Sequence, residues 1–179
     1  MKKTVKVFII IICFFVLTSC QSKEDQILKI NNINMKFTSP AFANDSNLPA
    51  KYSCTGQGIN PELQIADVPI NTQSLALIFD DPDAPINTFV HWLVWNIDPK
   101  TTVIAENSVP GGATLGSNSA RKSSYFPPCP PSGTHRYIFK LYALDIKLDL
   151  ASGADKKSLE KAMQGHILDS AELIGLFKQ

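Results

Sequence analysis

Short apolar runs separated by Pro, Gly, Asn and Ser dominate the chain, and helix-period patterning is scarce before residue 155. That pattern favours a mainly β architecture. Ser74 to Phe79 is an uninterrupted apolar run of the length of a buried strand. Phe89 to Ile97 is a second strand, rich in aromatic and β-branched residues, with His91 near its start. His135 to Leu144 alternates well enough for a third, long strand, with Arg136, Phe139 and Tyr142 interleaved. Ile33 to Phe37, Leu63 to Ile65 (a short edge strand) and Thr101 to Ala105 are weaker candidates. Near the C-terminus the spacing changes. Leu159, Ala162 and Met163, then Leu168, Ala171, Leu173 and Ile174, recur at helical intervals and predict two amphipathic helices, Lys156 to Gly165 and Ile167 to Leu176, with His166 capping the junction.

Between the first two strong strands lies Asp80-Asp81-Pro82-Asp83-Ala84-Pro85. Proline fixes φ and pushes the residue before it away from the helical region, so Asp81 and Ala84 should be extended and the segment a stiff acidic turn. Ser108 to Gly133 is long and rich in Gly and Pro. Loops of that length in a compact domain are functional or disordered, and the rigid Pro127-Pro128-Cys129-Pro130-Pro131 run argues for order.

The first residues are of another kind. Lys2, Lys3 and Lys6 precede an apolar core, Val7 to Leu17, which Thr18-Ser19-Cys20 closes. This is a secretory signal, too short to span a membrane as a stable helix. Leu17-Thr18-Ser19-Cys20 resembles the bacterial lipobox, in which the cysteine is lipidated and becomes the first mature residue. The expected organisation is a signal peptide over residues 1–19, a lipidated polar tether over 20–32 and one domain over 33–179. Gln21 after the lipidated Cys20 points to the periplasmic face of the outer membrane in a Gram-negative host. Without Lys2, Lys3 and Lys6 the 17 basic residues become 14 against 16 acidic ones, a net charge of −2, and no Lys/Arg run remains. Nucleic acid is therefore not an expected partner.

Three stretches carry a family resemblance: Asp81-Pro82-Asp83-Ala84-Pro85; His91-Trp92-Leu93-Val94-Trp95-Asn96; and Pro130-Pro131-Ser132-Gly133-Thr134-His135-Arg136-Tyr137, followed by Leu141-Tyr142-Ala143-Leu144-Asp145. From about Phe37 to Phe177 the chain resembles the phosphatidylethanolamine-binding protein family, in particular its bacterial Raf kinase inhibitor-like branch. The resemblance implies a two-sheet antiparallel β-sandwich, here with the C-terminal helices at its periphery. It also implies a small anion pocket at one end. On this chain the pocket would be made by Asp81, Pro82, Asp83, Pro85, His91, the Cys129-Pro130 backbone, His135 and Tyr137, with Tyr125 at the rim. Members bind phosphate, phosphorylethanolamine and similar anions, and some inhibit kinases or serine proteases through surface contacts. One stretch departs from the branch, where Gly-x-Asn-Asp-Phe-Gly is usual: here it reads Gly116-Ser117-Asn118-Ser119-Ala120-Arg121.

The residues themselves are compatible with that chemistry. Two strand-end histidines near carboxylates can donate N–H bonds to an anion, with the aspartates fixing their tautomers and favouring imidazolium. A metal reading of the two histidines and a carboxylate lacks any HxH or HxxxH spacing, and no metal or cofactor is expected. Cys129, His135 and an aspartate could form a hydrolase's nucleophile, base and orienter, but no helix N-terminus is there to lower the thiol pKa. Once Cys20 is lipidated, Cys54 and Cys129 are the cysteines left, and bridge or free thiols both stay open. Trp92, Trp95, Phe139 and Tyr142 are read as packing residues. The sequence thus predicts a membrane-anchored anion-binding lipoprotein of the cell envelope. An inhibitor of an envelope protease or kinase-like enzyme is the alternative, and a Cys129 hydrolase a third.

Overall fold

A computed structural model describes residues 34–179. The signal, the lipobox Cys20 and the tether lie outside the described residues.

The pattern of apolar runs becomes two sheets. β1 (Lys36–Thr38), β3 (Leu63–Ala66) and β6 (Val103–Ile104) form a small antiparallel sheet in the order β1-β3-β6. The larger sheet is six-stranded. It contains β2 (Ser46–Asn47), β4 (Ser74–Asp81), β5 (Phe89–Ile97), β7 (Thr114–Leu115), β8 (Thr134–Leu144) and β9 (Ile167–Lys178), in the order β2-β9-β8-β4-β5-β7. All its pairs are antiparallel except β2 with β9. One helix, α1 (Lys156–Met163), is capped by Asp155, whose carboxylate accepts from Ser158 N–H at 2.9 Å.

β4 shows why its sequence lacks alternation: every residue of it is buried. Leu75, Leu77 and Phe79 face the small sheet, in a core with Phe37, Leu63, Trp92, Tyr137 and Phe139. Ala76 and Ile78 face the other way, in a second core with Leu93, Trp95, Leu148, Leu159 and Met163 beneath α1. Burying each such large apolar side chain contributes about 1.5–3 kcal/mol. The two tryptophans thus serve opposite cores.

The expected second C-terminal helix is a strand. Ile167 to Leu176 lies within β9, which pairs with β8 along its length, Tyr137 opposite Gly175 and Phe139 opposite Leu173. The same apolar residues satisfy two periods: Leu173 and Phe177 are buried in the inter-sheet core, with Ala171 packed against it. Pairing decides between them, because β8 would otherwise leave an edge of backbone donors and acceptors open. Gly165, at φ 81°, turns the chain between helix and strand. His166 lies in that turn, beside Asp145 (Nδ1 to Oδ1 2.9 Å), and does not cap a helix. Leu63 to Ile65 is also relocated: β3 is the central strand of its sheet, not an edge. The first strand starts at Lys36 rather than Ile33 among the described residues.

Most of the long Ser108–Gly133 segment has no regular structure, yet it is tied down. Cys54 and Cys129, 75 residues apart in sequence, are joined by a disulfide, and Cys54 N–H donates to Pro128 O at 3.0 Å. A cross-link over so long a loop should contribute about 2–4 kcal/mol. The double variant Cys54→Ser/Cys129→Ser should lose that amount in urea unfolding, and a reductant should destabilise wild type while leaving the variant unchanged.

Candidate functional site

The period of two decides which acids meet which bases. Asp81 follows Phe79 on the inter-sheet face of β4, whereas Asp80 follows Ile78 to the opposite face. There Asp80, fully buried, is held by Lys140 at 3.0 Å and by Lys156 of α1. It anchors the helix and takes no part in the Asp81 cluster.

β8 brings His135 and Tyr137 to the inter-sheet face. His135 Nδ1 donates to Asp81 Oδ2 at 2.8 Å, both side chains being buried. The other Asp81 oxygen accepts Asp83 N–H at 2.8 Å, which closes the Pro82 turn. Asp83 itself turns outward and is taken by Arg136, whose Nε and Nη2 donate at 2.9 and 2.7 Å and whose backbone N–H adds a third bond at 2.9 Å. These bonds to the Arg136 guanidinium hold the Asp83 carboxyl down at about 2.

His91 reaches the same face through an irregularity. Along β4 and β5, Phe79 pairs with Trp92 but Asp80 pairs with Val90, so His91 is the extra residue of a bulge. A bulge re-aims a side chain, and here both His91 and Trp92 turn to the inter-sheet side. The His91 ring lies 5.2 Å from Phe79, 4.8 Å from Phe89 and 5.3 Å from Tyr137, centroid to centroid. Its Nδ1 lies 2.8 Å from Phe126 O, and Phe126 N–H donates back to His91 O at 2.9 Å. A carbonyl only accepts, so Nδ1 carries the proton. Burial pulls the His91 pKa down to about 4, against the opposing pull of the Phe126 carbonyl and of Asp81 and Asp80. His91 is therefore neutral at pH 7, with a lone pair on Nε2.

Tyr137 lies between the histidines, 6.4 Å from His135 by ring centroid. Its buried hydroxyl is beside Asp81 and the Cys129 backbone without a well-formed hydrogen bond to either, and burial raises its pKa. Neither His91 Nε2 nor His135 Nε2 has a partner among the described residues. The cluster thus offers, at one end of the core, two ring nitrogens and one hydroxyl with bonding capacity unspent.

A match over residues 38–178 to the family model described as phosphatidylethanolamine-binding protein decides the kinship. The chain belongs to the phosphatidylethanolamine-binding protein family. It is 45% identical over 150 residues to a UPF0098 protein of Methanothermobacter thermautotrophicus, covering 81% of this chain and 99% of that one. It is also 45% identical over 165 residues to a UPF0098 protein of Pyrococcus horikoshii, covering 88% and 79%. Among solved structures, a phosphatidylethanolamine-binding protein homologue of Chlamydia trachomatis superposes with a TM-score of 0.80 at 42% identity, covering 83% and 99%. YbcL of E. coli, described as a member of the mammalian family, gives 0.77 at 26% identity, covering 82% and 99%.

Within this family fold, Asp81, His91, His135 and Tyr137 come together, and the half-buried Pro82 shapes the turn. Pro85 is exposed on the far side of the turn, and Asp83 is committed to Arg136. Tyr125 is not a rim residue. Its ring stacks on Phe79 at 5.5 Å and abuts Trp92 at 5.8 Å, and its hydroxyl donates to Tyr52 O at 3.0 Å. Pro130 is buried, while Cys129 is exposed and in the disulfide, so no thiol is free there for a hydrolase. The expectation that aspartates orient both histidines holds for His135 alone, and the imidazolium expectation fails at His91.

Phe126 and Asn118 were not anticipated. Asn118 is buried, donates to Ser124 O at 2.9 Å and accepts from Ala120 and Lys122 N–H, each at 3.0 Å, shaping the loop that delivers Phe126. Among the described residues no group of three or more His, Cys, Asp or Glu side chains is arranged to hold a metal. A separate cleft of about 270 Å³ lines the small sheet at Lys36, Thr38, Gln64 and Val103 and shares no residue with the cluster.

The His91 shift has a sign. The unfolded chain binds a proton near pH 6.5 that the fold resists down to about 4, so the stabilisation is complete above 6.5 and is lost as pH falls toward 4. The loss should approach about 3 kcal/mol. Urea midpoints between pH 7.5 and 4 should fall more steeply for wild type than for His91→Gln.

Proposed function

We propose that this protein is an envelope lipoprotein whose family fold holds a small phosphate-like anion between His91, His135 and Tyr137. What supports the reading is one observation: both histidines are tied at Nδ1, to Phe126 O and to Asp81, leaving Nε2 of each without a protein partner beside the unpaired Tyr137 hydroxyl. Buried polar groups are costly unless satisfied, so such a cluster favours a polar guest. His135, lying against Asp81, takes a second proton as the anion arrives and donates through Nε2. Asp81 orients it and stabilises the imidazolium so formed. The ligand class is phosphate or a phosphorylethanolamine-like monoester, and no cofactor enters.

The anchor is the lipid on Cys20, on the periplasmic face of the outer membrane in a Gram-negative host. Two or more acyl chains suffice for stable attachment at about 0.8 kcal/mol per buried CH₂. Among the described residues no helix is long and apolar enough to cross a membrane. Cys20→Ala should move the domain to the soluble fraction or leave the precursor uncut. A variant that is processed and stays with membranes overturns the anchor.

A second reading, an inhibitor of an envelope protease or kinase-like enzyme, is favoured by Ile86, which is 91% exposed in the turn beside the cluster. Calorimetric titration with phosphate and phosphorylethanolamine separates the two. Wild type should bind, and His135→Ala or Asp81→Ala should weaken binding about ten- to a hundredfold, the worth of one charge-assisted hydrogen bond. If wild type binds neither anion at millimolar concentration, or both variants bind as wild type does, the inhibitor reading takes first place.

A further inference from the structure

The two histidines are not equivalent, and the difference bears on which anions fit. His135 Nδ1 faces a carboxylate, which favours a second proton on the ring. His91 Nδ1 faces the neutral Phe126 carbonyl, within a reciprocal pair of backbone and side-chain bonds, and its ring is enclosed by Phe79, Phe89, Phe126 and Tyr137. Only 3% of the residue remains exposed. The tautomer is therefore fixed by the loop that ends at Phe126, and Nε2 presents a lone pair.

We infer that His91 is a specificity residue which accepts a proton from the ligand, so that the site selects anions that carry one: phosphate and phosphate monoesters, against sulfate and phosphate diesters. This rests on the anion-site reading above and names the ligand class of that site. A monoester has its second pKa near 6 and reaches the site as the monoanion with one P–OH, which donates to Nε2. Sulfate and a diester have only acceptor oxygens at neutral pH. Either would set a lone pair against the lone pair of Nε2, leaving two buried acceptors unpaired. The intact headgroup of a phospholipid is a diester, and the free monoester is not.

The groups that face His91 do not undo this. Asp81 and Asp80 on β4 favour protonation of the ring, but Asp81 is bonded to His135 and Asp80 points to the opposite face, between Lys140 and Lys156. From β8 come Tyr137, a neutral phenol at pH 7, and beyond it His135, whose second proton would repel another on His91. Tyr125, from the loop, is a neutral phenol bonded to Tyr52 O. Burial outweighs the two carboxylates.

The test is calorimetric titration of the full domain at pH 7 with inorganic phosphate, phosphorylethanolamine, dimethyl phosphate and sulfate. Wild type should bind the first two and should bind the last two about ten- to a hundredfold more weakly. His91→Gln, whose amide can turn its NH₂ to the ligand, should lose that discrimination, with sulfate gaining relative to phosphate. A merely structural role for His91 would weaken all four anions alike and overturn the inference. Wild type binding sulfate or dimethyl phosphate as tightly as phosphate overturns it too while leaving the anion site standing, and that comparison holds even if the variant fails to fold. If none of the four binds, the anion site itself falls, and the inference with it.

Discussion

β4 is covered on both faces, and that constraint reaches every polar group near its end. With Leu75, Leu77 and Phe79 committed to one core and Ala76 and Ile78 to the other, the next two residues must emerge into buried surroundings on opposite sides. They are Asp80 and Asp81, and an unpaired buried carboxylate is costly enough that each must find a partner. Asp80 finds Lys140 and Lys156, which fastens α1 to the sheet. Asp81 finds His135. The helix anchor and the candidate site are thus two consequences of one strand ending inside the protein.

The same constraint explains what could be read in advance. β4, β5 and β8 are legible because an apolar or alternating run has few other uses at that length. β9 is not, since Ala171, Leu173, Ile174 and Phe177 fit a helix stripe and a strand face alike, and only the open edge of β8 selects between them. Within the site, the Asp81–His135 pair was within reach of sequence reasoning. The different fates of the three acids were partly so: counting by two from Phe79 separates Asp80 from Asp81. The Arg136 hold on Asp83 spans 53 residues, and nothing local announces it.

The state of His91 was out of reach for a different reason. Its neighbours in sequence suggest a histidine beside an acidic turn, hence an imidazolium. Its neighbours in space are four aromatic rings and a carbonyl 35 residues away, and a one-residue bulge brings it among them. Desolvation then outweighs Asp81 and Asp80. Tautomers are set by tertiary partners, so residue type and spacing constrain them poorly.

The loop that supplies the carbonyl also explains how the chain can depart from its branch without disturbing that arrangement. It lies along β5 through main-chain bonds: Gly116 N–H to Leu93 O, Ser119 N–H to Val90 O and Phe126 N–H to His91 O. A Cβ on Gly116 would come within 2.8 Å of both Leu93 and Trp95, so that position tolerates no side chain without movement. Three residues on, the usual Asp-Phe-Gly is Ser119-Ala120-Arg121, and Arg121 adopts φ 60°, a left-handed conformation that costs a non-glycine residue about 1 kcal/mol. Ser119 Oγ accepts Val90 N–H at 2.9 Å, and Asn118 holds the turn around Arg121 from both its oxygen and its nitrogen. The backbone path is therefore fixed by bonds that do not depend on what positions 120 and 121 carry. Substitution there alters an exposed rim while Phe126 O stays on His91 Nδ1, and the acceptor character of the site is insulated from the most variable-looking stretch of its wall.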